Sequence, residues 1–118
     1  MYMVLFVLDD PGLLDKVLDA WNEIGVSGVT ILESTGINRR RRAQMIGTSF
    51  MAGINRLISS DVENHYTLIT VVKDEADVQR CTSVVEQLTG DLNTPNTGIL
   101  AAWPLTFVKG VPLSREQG

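Results

Sequence analysis

Cysteine and histidine are almost missing from this 118-residue sequence, which holds one of each, Cys81 and His65. One cysteine cannot close an intramolecular disulfide, and this excludes a small secreted framework stapled by bridges. The same scarcity leaves no Cys-x-x-Cys or His-x-x-x-His pattern for zinc. Positive charge is also short: ten Lys and Arg face fourteen Asp and Glu, for a net charge of −4. That balance argues against a nucleic-acid partner, which calls for a basic excess. Long hydrophobic runs are absent as well. No stretch approaches the roughly 20 apolar residues that cross a bilayer, so no direct membrane insertion is expected. The apolar residues 1–8 lack a basic leader and run straight into Asp9-Asp10-Pro11 instead of a small-residue cleavage site. They read as a buried first strand and not as a signal peptide. A cytoplasmic protein is the expectation.

What is present suits one globular domain over residues 1–118, short enough that oligomerisation is a natural source of further buried surface. Residues 2–8 form an apolar, β-branched and aromatic run. Asp10 offers an N-cap and Pro11 a first helical position. Leu13, Leu14, Val17, Leu18, Trp21 and Ile24 then recur at helical spacing, with Gly25 as the stop. Residues 29–34 predict a second strand. Residues 66–72 predict a third, followed by a helix capped by Asp74. Its inward side carries Val78, Cys81, Val84, Val85 and Leu88, and it ends at Gly90. A last apolar strand is expected over residues 98–108, and Pro104 within it implies an edge position or a bulge. Two similar βαβ halves predict an α+β, ferredoxin-like βαββαβ sandwich. In it an antiparallel sheet carries both helices on one face.

Between the halves, residues 37–63 are far longer than the usual connection of about 4–6 residues, and a loop of that length is commonly functional. One short helix is expected near residues 49–59. The segment opens with Arg39, Arg40, Arg41 and Arg42, just past Gly36. Guanidinium groups beside glycine N–H groups suit phosphate oxygens, and a solvated basic loop is the competing reading. The small-residue loop Asn93-Thr94-Pro95-Asn96-Thr97-Gly98 admits close approach of a ligand, or is a plain turn. Lys109 places a cation after the last strand. His65 reads as a surface residue and Cys81 as core filler. The clusters Asp9-Asp10 and Asp74-Glu75-Asp77 sit at helix starts, where the macrodipole favours them without any acid–base role.

Residues 23–36, Glu-Ile-Gly-Val-Ser-Gly-Val-Thr-Ile-Leu-Glu-Ser-Thr-Gly, closely resemble the end of helix one and strand two of the nitrogen regulatory PII signalling proteins. Residues 90–100, Gly-Asp-Leu-Asn-Thr-Pro-Asn-Thr-Gly-Ile-Leu, resemble a signature of an uncharacterised PII-like subgroup, and residues 37–63 fall in the place of the family's partner-binding T-loop. The resemblance implies a homotrimer that binds a small anionic effector between subunits, an adenine nucleotide such as ADP, AMP or ATP, and controls an unidentified protein partner through the long loop. It implies no catalytic chemistry. Thr30, Gly36, Ile37 and Arg39 match or conservatively replace nucleotide-contacting residues of the family, with Asn96, Thr97, Gly98 and Lys109 completing the implied site. The departures are specific. Gly98 stands where the family has a phosphate-loop lysine, Lys109 alone stands for two arginines, and no tyrosine precedes Tyr66 in the long loop, so uridylylation is not expected. A trimeric scaffold of the same fold with a degenerate, non-binding site is the alternative. A metal-tolerance relative is disfavoured by the lack of ligating residues, and an amino-acid-binding ACT-type domain by the long central loop.

Overall fold

Alternation along the first strand sets the architecture. In β1 (Tyr2–Leu8) the side chains of Val4, Phe6 and Leu8 are fully buried, whereas Met3, Leu5 and Val7 between them are half-buried on the other face. The computed structural model describes residues 1–35 and 65–111. In these residues β1 is followed by α1 (Leu14–Glu23), β2 (Val29–Ser34), β3 (His65–Val72), α2 (Glu75–Thr89) and β4 (Gly98–Pro104). The strands form one sheet in the order β2-β3-β1-β4, with every neighbouring pair antiparallel. This α+β arrangement of four strands and two helices is compatible with the ferredoxin-like expectation.

The chain enters α1 through a 3-10 turn at Pro11–Leu13, where the carboxylate of Asp10 accepts from Gly12 N at 2.9 Å. The helix ends before Gly25, whose φ of +94° few other residues adopt without strain. Asp74 caps α2 by accepting from Asp77 N at 2.9 Å. Asp77 in turn pairs with Lys73 at 3.8 Å and with Arg80. Both helices cover the same side of the sheet. Val17 and Trp21 from α1 and Val78, Cys81 and Val85 from α2 join Val4, Phe6, Leu8, Leu68 and Val72 in one core. The rings of Phe6 and Trp21 meet tilted by 52° at 6.2 Å, within the range favoured by aromatic pairs.

The last strand is shorter than the sequence suggests. It stops at Pro104 and not near residue 108, with Pro104 opposite Tyr2, the first residue of β1. Leu105 N still donates to Met1 O at 2.9 Å, the final rung. As expected for a proline-containing strand, β4 is an edge. The segment assigned to the long loop and its short helix lies outside the described residues.

The face away from the helices is laid out in rows by the strand register. Leu32, Thr67, Val7 and Ile99 form one row, Thr30, Ile69, Leu5 and Ala101 the next, and Val71, Met3 and Trp103 a third. Gly110 and Val111 approach it at the end that carries Met3, Thr30, Ile69 and Val71. Leu32, Ile99 and Trp103 are 48%, 65% and 44% exposed, a contiguous apolar surface unlike the scattered apolar residues of an ordinary monomer.

Candidate functional site

The start of β2 borders an open pocket of about 570 Å³, a size suited to a small molecule. Three separate stretches build it: the α1–β2 connection from Gly25 to Thr30, the end of β3 from Ile69 to Val72, and the C-terminal residues Gly110 and Val111, with Met3 and Asp77 at its borders. Thr70, almost fully buried, donates to Gly28 O at 2.8 Å and so ties the α1–β2 connection to the sheet. A Cβ on Gly28 would meet nothing within 4 Å, so the space beside this residue is open. The wall is apolar where Val26, Val29 and Val71 line it. Its charge comes from Asp77, whose carboxylate is partnered by Lys73 and Arg80.

Of the residues singled out in the sequence, Thr30 lies in this pocket, and Lys109 directly precedes its C-terminal wall. The structure brings these two regions together. Asn96, Thr97 and Gly98 are elsewhere, at the start of the opposite edge strand. Crossing from β2 to β4 takes three strand spacings, and Gly98 is three residues along from the row of Thr30, so the separation is roughly 17 Å. Gly36, Ile37 and Arg39 fall outside the described residues.

The residue 91–98 loop is organised by its own hydrogen bonds. Glu86 accepts from Leu92 N at 2.9 Å, and Asp91 accepts from Asn93 N through its carboxylate at 2.9 Å. The hydroxyl of Thr97 points into the loop, 2.9 Å from Thr94 O and 3.2 Å from Leu92 O. Its single proton is committed there and not to an external group. Asn96 adopts φ of +65°, which asparagine tolerates better than most residues. Gly98 has φ of +133°, and an added Cβ would lie 2.5 Å from Val7 O. No side chain fits at this position.

No protein-family model matches this sequence, and no curated protein does either.

A polar cluster that sequence reasoning passed over sits at the far corner of the bare face. Ser34 Oγ lies 2.8 Å from His65 Nδ1 and 2.9 Å from Thr67 Oγ1, and it donates toward His65 O at 3.2 Å. His65 is therefore half-buried and hydrogen-bonded. The signal for it was the register, since Ser34 and His65 are paired residues at the two feet of the 36–64 segment. Cys81 is core, as expected, and burial pushes its thiol up to about 11. Among the described residues no group of His, Cys, Asp and Glu could hold a metal ion, and no helix is long and apolar enough to cross a membrane.

Proposed function

We propose that this chain is a PII-like regulatory protein that assembles as a homotrimer of ferredoxin-like subunits. It would bind a small anionic effector, an adenine nucleotide, between subunits, and control an unidentified protein partner through residues 37–63. The reading assigns it no catalysis of its own. The observation that carries it is the division of the candidate residues. Thr30 lines a ligand-sized pocket at one sheet edge, Gly98 starts the strand at the other, and roughly 17 Å separates them in one subunit. A site using both is completed only where the β2 edge of one copy meets the β4 edge of another. The uncovered apolar face supports such an assembly, because three sheets can cover one another. Gly28, Val29 and the pocket walls offer apolar contact and backbone groups to a planar base. Arg39 and Lys109 supply charge for phosphate.

Calorimetric titration with ATP, ADP, AMP and cyclic AMP tests this reading, with light scattering on the same samples. Saturable binding by a trimer is expected. Arg39→Ala should weaken binding about ten- to a hundred-fold, the effect of a charge-assisted contact of roughly 1.5–3 kcal/mol, while Arg42→Ala changes it little. Equal, salt-sensitive losses at all four arginines would indicate a diffuse patch.

A second reading, a trimeric scaffold with a degenerate site, is favoured by two details of the residue 91–98 loop. Thr97 spends its proton within the loop, and the backbone at Gly98 leaves no room for a lysine. A flat titration with every nucleotide selects the scaffold.

A further inference from the structure

We propose that Thr70 is a positioning residue of the pocket beside β2, its hydroxyl holding the wall in the shape that receives a flat base. The proposal rests on the reading that this pocket takes the effector. Among the described residues Thr70 alone is both polar and buried, with 3% of its surface exposed. It belongs to the helix-covered side of β3, between Leu68 and Val72 and opposite Val4 and Val29. All four neighbours are apolar, so packing alone would be served by valine, which has nearly the same shape. A buried hydroxyl is costly unless it is hydrogen-bonded. Here its partner is Gly28 O, at 2.8 Å and 42 positions earlier in the chain.

That bond acts on one peptide unit. The carbonyl of Gly28 accepts from Thr70, and the amide that follows it, Val29 N, donates to Ser27 O at 3.1 Å. Both polar groups of the Gly28–Val29 peptide are thus taken, which fixes its plane. Gly28 itself does little to fix it, having no side chain to limit rotation and open space where a Cβ would stand. The other end of the connection is held from α1, where Trp21 O accepts from Val26 N at 2.8 Å. Gly28, Val29 and Thr30 follow one another along the pocket wall, so the plane of this peptide sets the surface a base would meet. A wall ordered in advance spares the ligand the cost of ordering it. Without the hydroxyl, the Gly28 carbonyl is free to turn into the open pocket and the wall loses its fixed shape.

Calorimetric titration of the full chain with ATP, ADP and AMP tests this, comparing wild type, Thr70→Val and Thr70→Ser. The valine variant keeps the volume and removes the bond, whereas the serine variant keeps the hydroxyl and loses a methyl group. Thr70→Val should weaken nucleotide binding about three- to ten-fold, the equivalent of one hydrogen bond. Thr70→Ser should bind nearly as wild type does. Amide exchange followed by NMR supplies a readout that a general loss of stability does not reproduce. Residues 26–29 should exchange faster in Thr70→Val, with α1 and β3 protected as in wild type. Thr70→Ala, which is smaller and also lacks the hydroxyl, takes the place of Thr70→Val if valine is not accommodated. Equal affinity in wild type and Thr70→Val overturns the proposal and leaves the pocket reading intact. Equal losses in the valine and serine variants also overturn it, as does exchange that rises across the whole sheet. A wild-type titration that is flat with all three nucleotides overturns both.

Discussion

The indole Nε1–H of Trp21 donates to the backbone carbonyl of Cys81 at 3.3 Å, joining α1 to α2 across 60 positions of sequence. Both residues are fully buried, and the indole also faces Phe6 of the sheet, so one side chain links three elements of the core. Trp21→Phe keeps much of the apolar volume and removes the donor, which should lower stability by about 1–2 kcal/mol. Trp21→Ala also leaves a cavity and should lose about 3–5 kcal/mol. Urea unfolding at fixed protein concentration measures both. A phenylalanine variant as stable as wild type would show that the hydrogen bond contributes nothing.

Cys81 gives the core a dependence on alkaline pH. Burial raises its thiol from 9.0 to about 11, with Arg80 pulling weakly the other way. The folded state thus holds the proton more tightly than the unfolded chain. The resulting stability is fully present below about pH 9 and is lost as pH rises through about 11. Cys81→Ala lacks this term. Wild type should therefore lose more stability than Cys81→Ala between pH 8 and pH 10.5, and native protein at pH 8 should resist thiol alkylation. Parallel unfolding curves for the two proteins across that range would contradict the assignment.

Two glycines near the candidate residues should respond in opposite ways. At Gly98 an added methyl group collides with the carbonyl of Val7 at 2.5 Å and the backbone conformation disfavours any side chain. Gly98→Ala should destabilise by about 2–3 kcal/mol, lowering the melting temperature by roughly 10 °C. At Gly28 the methyl group meets nothing, so Gly28→Ala should leave melting nearly unchanged. Because it projects beside the pocket, it should weaken effector binding all the same. Thermal melting together with titration of the two variants separates fold from site.

Local pattern carried most of the fold. The buried alternation Val4, Phe6, Leu8 and the helix face Val78, Cys81, Val85 follow from side-chain periodicity alone, and the Asp10 and Asp74 caps from residue type. What local pattern lacks is the partner. Residues 105–108 are as apolar as the strand before them, but the pairing of β4 with β1 ends at Pro104 opposite Tyr2. The same limit applies to the site. Thr97 reads as a ligand-facing hydroxyl until its contacts with Leu92 O and Thr94 O are seen. The pocket joins residues near 28, 70 and 110, a convergence that no spacing along the chain announces. The Ser34–His65–Thr67 cluster depends on register in the same way.

The two tryptophans provide a direct test of what covers the bare face. Trp21 is fully buried within a single subunit, whereas Trp103 is 44% exposed on the outer side of β4, and assembly should change only the second. Diluting the protein from micromolar to nanomolar concentration should shift Trp103 emission to the red as the face becomes wet, with no change in circular dichroism. Using Trp21→Phe as background isolates this signal, provided that variant remains folded. Ile99 supplies the perturbation. It is 65% exposed in one subunit, so Ile99→Lys should hardly affect the fold of a separate copy. In an assembly that buries this row, the same lysine would lose water without a partner and should weaken association by at least about ten-fold, a difference of about 1.4 kcal/mol. If Ile99→Lys associates as tightly as wild type, or if Trp103 emission is independent of concentration while the protein remains oligomeric, copies meet through a different surface. The pocket at Thr30 would then have to act without the opposite edge.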